Sequence, residues 1–346
     1  MFQPSQPARR SRPRSGIVVG LAAALLAATA TACGGSSNGL GSPDQSNLRV
    51  GLIDSLGAVP FEIGNAGDTH AFTDAGLSIT VQKFTSQTDE LAALSSGKID
   101  IAYGEYAQFL NSTSTLATSD NIRVVSEAYD AAPGTIALLT RRGYVLPEWG
   151  PGAGAAFNCN GSISIVVPSN KSTEYLALSA WLSSLGSPLP GNCPAIQQNA
   201  NPAQAIGAVA SGQATATVLQ EPYVTAAQVN PGLQMSQDLA TGNASAMPVD
   251  GYFATKAFTR QYPHTTAIFA AVMAKLQASG GQRVVVETAL RDSHAVDTRV
   301  IASMELGTYP SVVLQAKLDI VLRLMSDAGT ANGILDSAKL TNLSGT

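Results

Sequence analysis

The chain contains few of the residues that metal binding and catalysis use most often. Its 346 residues include only three histidines, three cysteines and two tryptophans. The histidines, His70, His264 and His294, are far apart, and the sequence has neither an HExxH motif nor a Cys/His cluster with metal-ligand spacing. We therefore expect no metal site, no cofactor and no enzymatic activity.

Charged residues are also scarce, at 13% of the chain, and the net charge is −4. An acidic chain is a poor match for nucleic acid or for an anionic lipid surface, so we expect neither as a partner. The length is sufficient for two domains of ordinary size, each with its own core. Low charge combined with plentiful alanine and glycine is compatible with a compact, exported α/β protein.

The first part of the chain has the pattern of an export signal. Arginines within residues 9–14 precede the apolar run 17–30, which is short for a membrane span. The run leads into the sequence ATAC, which resembles a bacterial lipoprotein signal in which Cys33 becomes the lipidated first residue; ordinary cleavage after the A-x-A motif is the alternative. Either cleavage removes residues 1–32 and changes the net charge to −8. Residues 33–46 are rich in glycine and serine and are predicted to form a flexible tether.

The two remaining cysteines, Cys159 and Cys193, each precede a short apolar run, one at residues 163–167 and one from residue 195. If these runs are neighbouring parallel strands, both cysteines start their strands at the same edge of a sheet, within reach of a disulfide. Such a disulfide would stabilise the fold by roughly 3 to 4 kcal/mol through loop entropy. Two buried free thiols are the alternative. In either case the cysteines are predicted to be structural, at the opposite sheet edge from the strand ends that bind ligand.

Two similar segments, residues 90–106 and 204–223, organise the rest of the chain. Each has the pattern of a helix, a glycine that ends it, a short apolar strand and a polar strand end. Gly97 and Gly212 are expected to take the left-handed conformation at the helix ends. Strands that alternate with helices favour a parallel sheet, and such sheets bind ligands beyond the carboxyl ends of their strands. The pair therefore predicts an α/β protein with two lobes that face each other across a cleft.

Further strands and helices complete this prediction. Strands are predicted at residues 48–53, 77–84, 121–129, 135–141, 163–167, 195–198 and 232–239. The chain is expected to cross to the second lobe at Pro133-Gly134 and to return at residues 248–255. Helical apolar spacing occurs at residues 267–278 and 311–325, and these helices are expected to pack on the first lobe. The two predicted lobes comprise residues 47–134 plus 250–346 and residues 135–249, respectively.

Two helix starts lie close to the predicted strand ends. Ser86 or Thr88 is placed to cap the helix of the first segment, and Ser172 or Thr173 mirrors it in the second lobe. A helix start carries free N–H groups, which favour an acidic group of a ligand. A plain cap with nothing bound is the alternative at both positions.

Several stretches of the sequence resemble a known family: LRVGLI, DELAALSSGKIDIAYG, IVVPSNKSTEYLAL, and GQATATVLQEPY with the later YFATKAFTRQYP. Together they are similar to the NMT1-like solute-binding proteins of nitrate, sulfonate, taurine and bicarbonate ABC importers, over about residues 48–335. The resemblance implies a periplasmic-binding-protein fold of type II. Such a fold has two α/β lobes, two crossovers and a hinge that closes the cleft on its ligand.

The resemblance also implies which residues contact the ligand. The matching positions are Asp54 and Ser55 after the first strand, Gln87, Thr88, Ser172 and Thr173 at the two helix starts, and Glu221 and Tyr223 in a Glu-Pro-aromatic turn. The chain departs from the family at Gly104-Glu105, where many relatives carry a small or neutral residue. A carboxylate at Glu105, near Asp54 and Asp250, would repel a bare anion unless it is paired. The solutes that remain are an organic sulfonate, an amine-bearing zwitterion and an uncharged aromatic-type or pyrimidine-like molecule. The alternative is that Glu105 is a solvated residue at the cleft rim.

The residues and the resemblance together predict an extracytoplasmic solute-binding lipoprotein of an ABC importer. Its partners would be a small organic solute and an ABC permease with its ATPase. The protein would be a monomer on the outer face of the cell membrane, which it would contact only through its lipid anchor. A solute-sensing lipoprotein and an enzyme similar to a pyrimidine synthase are the alternatives. The enzyme is disfavoured because none of the three histidines lies at a predicted strand end.

Overall fold

The computed structural model describes residues 40–67, 69–112, 118, 120–146, 163–189, 194–229, 232–293, 296–331 and 335–343. The predicted signal segment, the lipidation site Cys33 and the predicted disulfide partners Cys159 and Cys193 lie outside these residues and stay predictions. None of the helices in the described ranges is both long enough and apolar enough to cross a membrane.

The described residues form ten strands. In chain order they are β1 (Asn47–Leu52), β2 (Ser78–Lys83), β3 (Ile101–Glu105), β4 (Ile122–Asp130), β5 (Ile136–Arg141), β6 (Ser164–Val167), β7 (Ala195–Gln198), β8 (Ala216–Gln220), β9 (Leu233–Asp238) and β10 (Pro248–Thr255). The predicted strands fall within one residue of β1, β2, β4, β5, β6, β7 and β9. β3 and β8 are the strands of the two similar segments.

The same ranges contain twelve α-helices. They are α1 (Val59–Asn65), α2 (Gln87–Ser95), α3 (Tyr106–Leu110), α4 (Thr173–Ser184), α5 (Pro202–Ser211), α6 (Tyr223–Val229), α7 (Lys256–Gln261), α8 (Pro263–Gly280), α9 (Arg283–Ser293), α10 (Thr298–Ser303), α11 (Gln315–Asp327) and α12 (Ser337–Thr341). Of the residues proposed as helix caps, Ser86 caps α2 and Ser172 caps α4. Each hydroxyl accepts a hydrogen bond from a first-turn N–H group. Gly97 and Gly212 have φ of +69° and +81°, as predicted for helix ends.

The strands form two sheets of five, ordered β2-β1-β3-β10-β4 and β7-β6-β8-β5-β9. The neighbours β2, β1 and β3 are parallel, and so are β7, β6 and β8. The sheets are mixed rather than purely parallel, because β10 is antiparallel to both of its neighbours and so is β5. The chain passes from β4 to β5 and from β9 to β10, and each of these connections joins one sheet to the other. β5 and β10 therefore start at the sheet edge where the parallel strands end, and they run in the opposite direction.

Each connection between the sheets lies close to a predicted crossing. The first follows β4 and contains Gly134, whose φ is +87°. The second follows β9 and leads into β10 in the first sheet. The arrangement is the mixed α/β, two-lobed architecture that the sequence predicts. The residue limits of the two lobes stay a prediction.

The C-terminal helices pack more widely than predicted. α8 packs on α1 and β4, and α12 packs on β4, all in the part of the chain that forms the first sheet. However, α10 contacts α6, and α11 contacts α4. Both α6 and α4 lie in the part of the chain that forms the second sheet. The helix predicted at residues 311–325 packs on β10 and α3, in the part of the chain that forms the first sheet, and also on α4. Its apolar spacing predicts a buried face, which Leu318, Val321 and Leu324 form, but does not specify the surface that covers it.

Candidate ligand-binding cleft

Strand ends from both sheets surround a cleft of about 920 Å³. The end of β1 contributes the turn at residues 53–55, and the end of β3 contributes Gly104 and Glu105. From the second sheet, β6 leads into Pro168 and Ser169, and β8 leads into residues 220–223. Because parallel strands end at the same edge of a sheet, the topology itself brings these polar ends together.

The predicted site residues do not all reach the cleft surface. Those that line it are Asp54, Ser55, Gln87, Thr88, Gly104, Glu105, Glu221 and Tyr223. Ser172 and Thr173 are fully buried and are not part of the lining. The hydroxyl of Ser172 caps α4 by accepting a hydrogen bond from the backbone N–H of Tyr175.

Glu105 connects the two sheets across the cleft. Its Oε2 accepts hydrogen bonds from the backbone N–H and the hydroxyl of Thr173, at 3.3 and 3.2 Å, and from Gln108 at 2.8 Å. Its Oε1 accepts a hydrogen bond from Gln220 Nε2 at 3.2 Å. The alternative of a merely solvated rim residue is therefore wrong. A carboxylate at the start of α4 is favourable because the first-turn N–H groups carry partial positive charge.

Gln87 and Gly104 hold the end of β3 in place. Gln87 Oε1 accepts a hydrogen bond from the backbone N–H of Glu105 at 3.1 Å, and Glu90 Oε1 accepts one from Tyr103 N–H at 2.9 Å. A Cβ atom on Gly104 would lie 1.9 Å from Gln87 Nε2, so any other residue at this position would require the Gln87 side chain to move. Burial raises the pKa of Glu90 to about 8.

Asp250 lies on the floor of the cleft, opposite Glu105 in the register of β10 and β3. Its Oδ2 accepts hydrogen bonds from the hydroxyl of Tyr103 at 2.8 Å and from Ser55 at 3.2 Å. Burial, followed by the nearby charge of Glu105, raises the pKa of Asp250 to about 7. Gly57 permits this close approach, since its Cβ would lie 2.7 Å from Asp250 Oδ2.

Glu174 also lines the cleft and is only 6% exposed. Its Oε1 accepts a hydrogen bond from Gln220 Nε2 at 3.0 Å, while its Oε2 has no hydrogen-bond partner among the described residues. Burial, followed by the charge of Glu105, raises the pKa of Glu174 to about 8. Sequence reasoning missed Glu174, because an acidic residue in the first turn of a helix is usually there to complement the helix dipole.

Asp54 is at the rim of the cleft. Its side chain is 80% exposed and forms a salt bridge with Lys83, which also pairs with Glu62. Ser55, the next residue, points inward to Tyr103 and Asp250. The turn after β1 thus places one predicted ligand residue at the mouth and the other on the floor.

Glu221 and Tyr223 also differ in exposure, as Asp54 and Ser55 do. The carboxylate of Glu221 is buried and accepts hydrogen bonds from the backbone N–H and hydroxyl of Thr225, at 3.1 and 2.7 Å, and from the backbone N–H of Glu305 at 3.1 Å. Glu221 therefore fixes the start of α6 and the segment after α10. Tyr223 is 46% exposed and lies in the cleft wall. Tyr223 is thus the more accessible of the two for a solute.

The described residues offer no obvious metal centre. No group of three or more histidine, cysteine, aspartate or glutamate side chains within them could hold a metal ion. His264, one of the two histidines in the described ranges, is exposed and contacts Asp44 at 2.9 Å. The arrangement is that of a polar, largely acidic cleft for a small molecule.

The fold and this cleft define a two-lobed binding protein of the periplasmic type. The sequence matches the NMT1-like family over residues 41–295, which is most of the chain. The chain therefore belongs to the NMT1-like family, which confirms the resemblance noted in the sequence.

Solved structures share this fold at low sequence identity. One is the zinc-bound ligand-binding component of an ABC-type import system from Staphylococcus aureus, with 16% identity, 87% of this chain and 98% of that chain covered, and a TM-score of 0.68. The periplasmic aliphatic sulphonate-binding protein of Escherichia coli has 17% identity, coverage of 86% and 97%, and a TM-score of 0.67. The periplasmic nitrate-binding protein of Synechocystis has 15% identity, coverage of 88% and 88%, and a TM-score of 0.67. No curated protein sequence matches significantly.

Proposed function

We propose that the protein is the extracytoplasmic solute-binding component of an ABC importer. The observation that carries this proposal is the cleft of about 920 Å³ at which the strand ends of both sheets converge. A cavity of that size accommodates an organic molecule, and it contains the polar side chains that would orient one. Membership of the NMT1-like family and the fold shared with binding proteins of import systems support the same function.

The remaining features of the system follow from this role. Lobe closure would enclose the solute, and a permease with its ATPase would then receive it. A lipid on Cys33 and the tether at residues 33–46 would keep a monomeric protein on the outer face of the membrane. The solute would be a small organic molecule of the sulfonate, amine or pyrimidine class. No step of this function requires the protein to be an enzyme.

A thermal-shift screen tests the proposal. A ligand that binds only the folded protein stabilises it by about 2.7 kcal/mol at a concentration of about a hundred times its Kd. We expect at least one member of a panel of sulfonates, amines and pyrimidines to raise the melting temperature. The proposal would be contradicted if no member of any class had an effect.

A pair of tyrosine variants shows whether the binding occurs in the cleft. Tyr223→Ala removes an aromatic ring from the cleft wall, and Tyr144→Ala removes one that is not part of the lining. A ligand of the cleft should stabilise the Tyr144→Ala protein as much as the wild type, and the Tyr223→Ala protein less. Equal stabilisation of all three proteins would place the binding elsewhere.

A further inference from the structure

The start of α4 is occupied by a side chain of the protein itself. Glu105 Oε2 accepts hydrogen bonds from both the backbone N–H and the hydroxyl of Thr173. These are donors that a bound sulfonate or carboxylate would otherwise use at a helix start. An anionic solute would have to displace Glu105 or approach it, and both are unfavourable because like charges repel.

The charges of the cleft lining have one predominant sign. Six acidic residues line it: Asp54, Glu62, Glu105, Glu174, Glu221 and Asp250. The basic residue of the lining is Lys83, which pairs with Asp54 and Glu62 at the rim. The interior carboxylates therefore have neutral hydrogen-bond donors but no cationic partner among the residues that line the cleft.

Three of these carboxylates lie close together. Asp250 is directly opposite Glu105 in the antiparallel pair of β10 and β3, so their side chains share one face of the sheet. Glu174 is joined to Glu105 through Gln220, whose Nε2 donates to both carboxylates. Glu174 Oε2 is buried without a hydrogen-bond partner among the described residues. A buried carboxylate oxygen in this condition favours a cation beside it.

We infer that the solute carries a protonated amino group, which Glu105, Glu174 and Asp250 bind on the floor of the cleft. The inference rests on the proposed solute-binding function and specifies the charge class of the ligand. An ammonium group has three donors, which suits carboxylates that approach from different sides. An organic cation is favoured over a bare metal ion, because the described carboxylates do not form a metal-binding group.

The protonation of the carboxylates supports this assignment. Burial, followed by repulsion from Glu105, raises the pKa of Glu174 to about 8 and that of Asp250 to about 7. The hydroxyl of Tyr103 also faces Asp250 and donates to it. A bound cation would favour the ionised carboxylates, so its binding should release protons near neutral pH.

Isothermal titration with matched compounds tests the charge class. One set shares a butane chain: putrescine, butanediol and butanesulfonate. The other shares a benzyl group: benzylamine, benzyl alcohol and phenylmethanesulfonate. We expect the amine to bind at least tenfold more tightly than the alcohol in one or both sets, and the sulfonate not to compete with it.

The outcomes separate the inference from the proposed function. Tighter binding of a sulfonate or an alcohol than of its amine would overturn the inference and leave the solute-binding function standing. The absence of binding by every compound, together with no hit in the thermal-shift panel, would count against both. Binding of the amines alone would support both.

Variants locate the amino group. Glu105→Gln and Glu174→Gln preserve side-chain shape and should each weaken amine binding roughly tenfold, which corresponds to about 1.4 kcal/mol. Glu62→Gln removes one charge from the rim, where the side chain is 43% exposed, and should change the affinity less than about twofold. Melting curves identify any variant that fails to fold. Equal effects of the rim variant and the two interior variants would overturn the inference.

Discussion

Glu105, the last residue of β3, and Glu221, which follows β8, arise from the same sequence pattern, but their carboxylates have different partners. Glu105 reaches across the cleft to Thr173 and Gln220 in the other half of the protein. Glu221 turns back to Thr225 on the helix that follows it, and to the backbone of Glu305. Glu105 thus links the two halves of the protein at the cleft, whereas Glu221 links α6 to the segment after α10.

The largest effect on stability is expected at Glu221. Glu221→Ala leaves the backbone N–H groups of Thr225 and Glu305 without their acceptor, and we expect it to lower the free energy of unfolding by roughly 2 to 3 kcal/mol. Urea denaturation measures the change. Glu305→Gln is the matched control, because it keeps the backbone N–H and should change stability by less than about 0.5 kcal/mol. A loss below about 0.5 kcal/mol for Glu221→Ala would show that Glu221 has no supporting role.

The end of β3 provides the next test. In Gly104→Ala the new Cβ would lie 1.9 Å from Gln87 Nε2, so Gln87 must move and release the backbone of Glu105. We expect a loss of roughly 1 to 3 kcal/mol in urea denaturation, with weaker solute binding. Gly207→Ala in α5 is the control, since its Cβ meets no atom within 4 Å. That substitution should stabilise the protein by roughly 0.5 to 1 kcal/mol. Equal stability of the two variants would contradict the contact with Gln87.

The pH dependence of stability distinguishes the cleft carboxylates from ordinary surface acids. The pKa of Glu174 is raised from 4.5 to about 8 in the folded protein. At a pH between these two pKa values, the folded protein therefore binds more protons than the unfolded chain. The free energy of unfolding of the ligand-free protein should therefore fall as the pH rises from about 5 to about 8. Glu174→Gln should reduce this fall by roughly 1 to 2 kcal/mol. An unchanged pH profile in the variant would show that Glu174 titrates normally.

The smallest change in stability is expected at Glu105. Glu105 is only half-buried and lines the cleft, so we expect water in the cleft to replace its carboxylate as the acceptor for Thr173 once the side chain is removed. Glu105→Ala should lower the free energy of unfolding by less than about 1 kcal/mol, in contrast to Glu221→Ala. The variant should also bind butanesulfonate more tightly than the wild type, because the start of α4 is then vacant for an anion. A stability loss equal to that of Glu221→Ala would remove the distinction between the two glutamates.

The local structure was largely predictable from the sequence. The strands, the serine caps and the glycines at helix ends depend on neighbouring residues, and the structure confirms them. Those features also predicted that Glu105 and Glu221 would lie at strand ends facing a cleft. The repeat of the helix-to-strand pattern predicted two facing lobes, and the resemblance to a family added the type of fold.

The partners of the side chains were not predictable in the same way. Whether Glu221 turns toward Thr225 or toward the cleft depends on Glu305, which is 84 residues away in the chain. Glu174 was missed because its burial depends on the approach of Glu105 and Gln220 from other elements. The antiparallel direction of β5 and β10 likewise depends on how the chain passes from one sheet to the other. These features arise from long-range packing, which the spacing of residues does not encode.

A nuclear magnetic resonance titration of the glutamate carboxyl carbons tests the cation-binding floor most directly. The signal that disappears in Glu174→Gln should titrate near pH 8 in the ligand-free protein. Saturating putrescine or benzylamine should shift that titration to lower pH, because a bound cation stabilises the ionised carboxylate. A titration midpoint that stays unchanged, or moves to higher pH, would contradict the binding of an amino group at Glu105, Glu174 and Asp250.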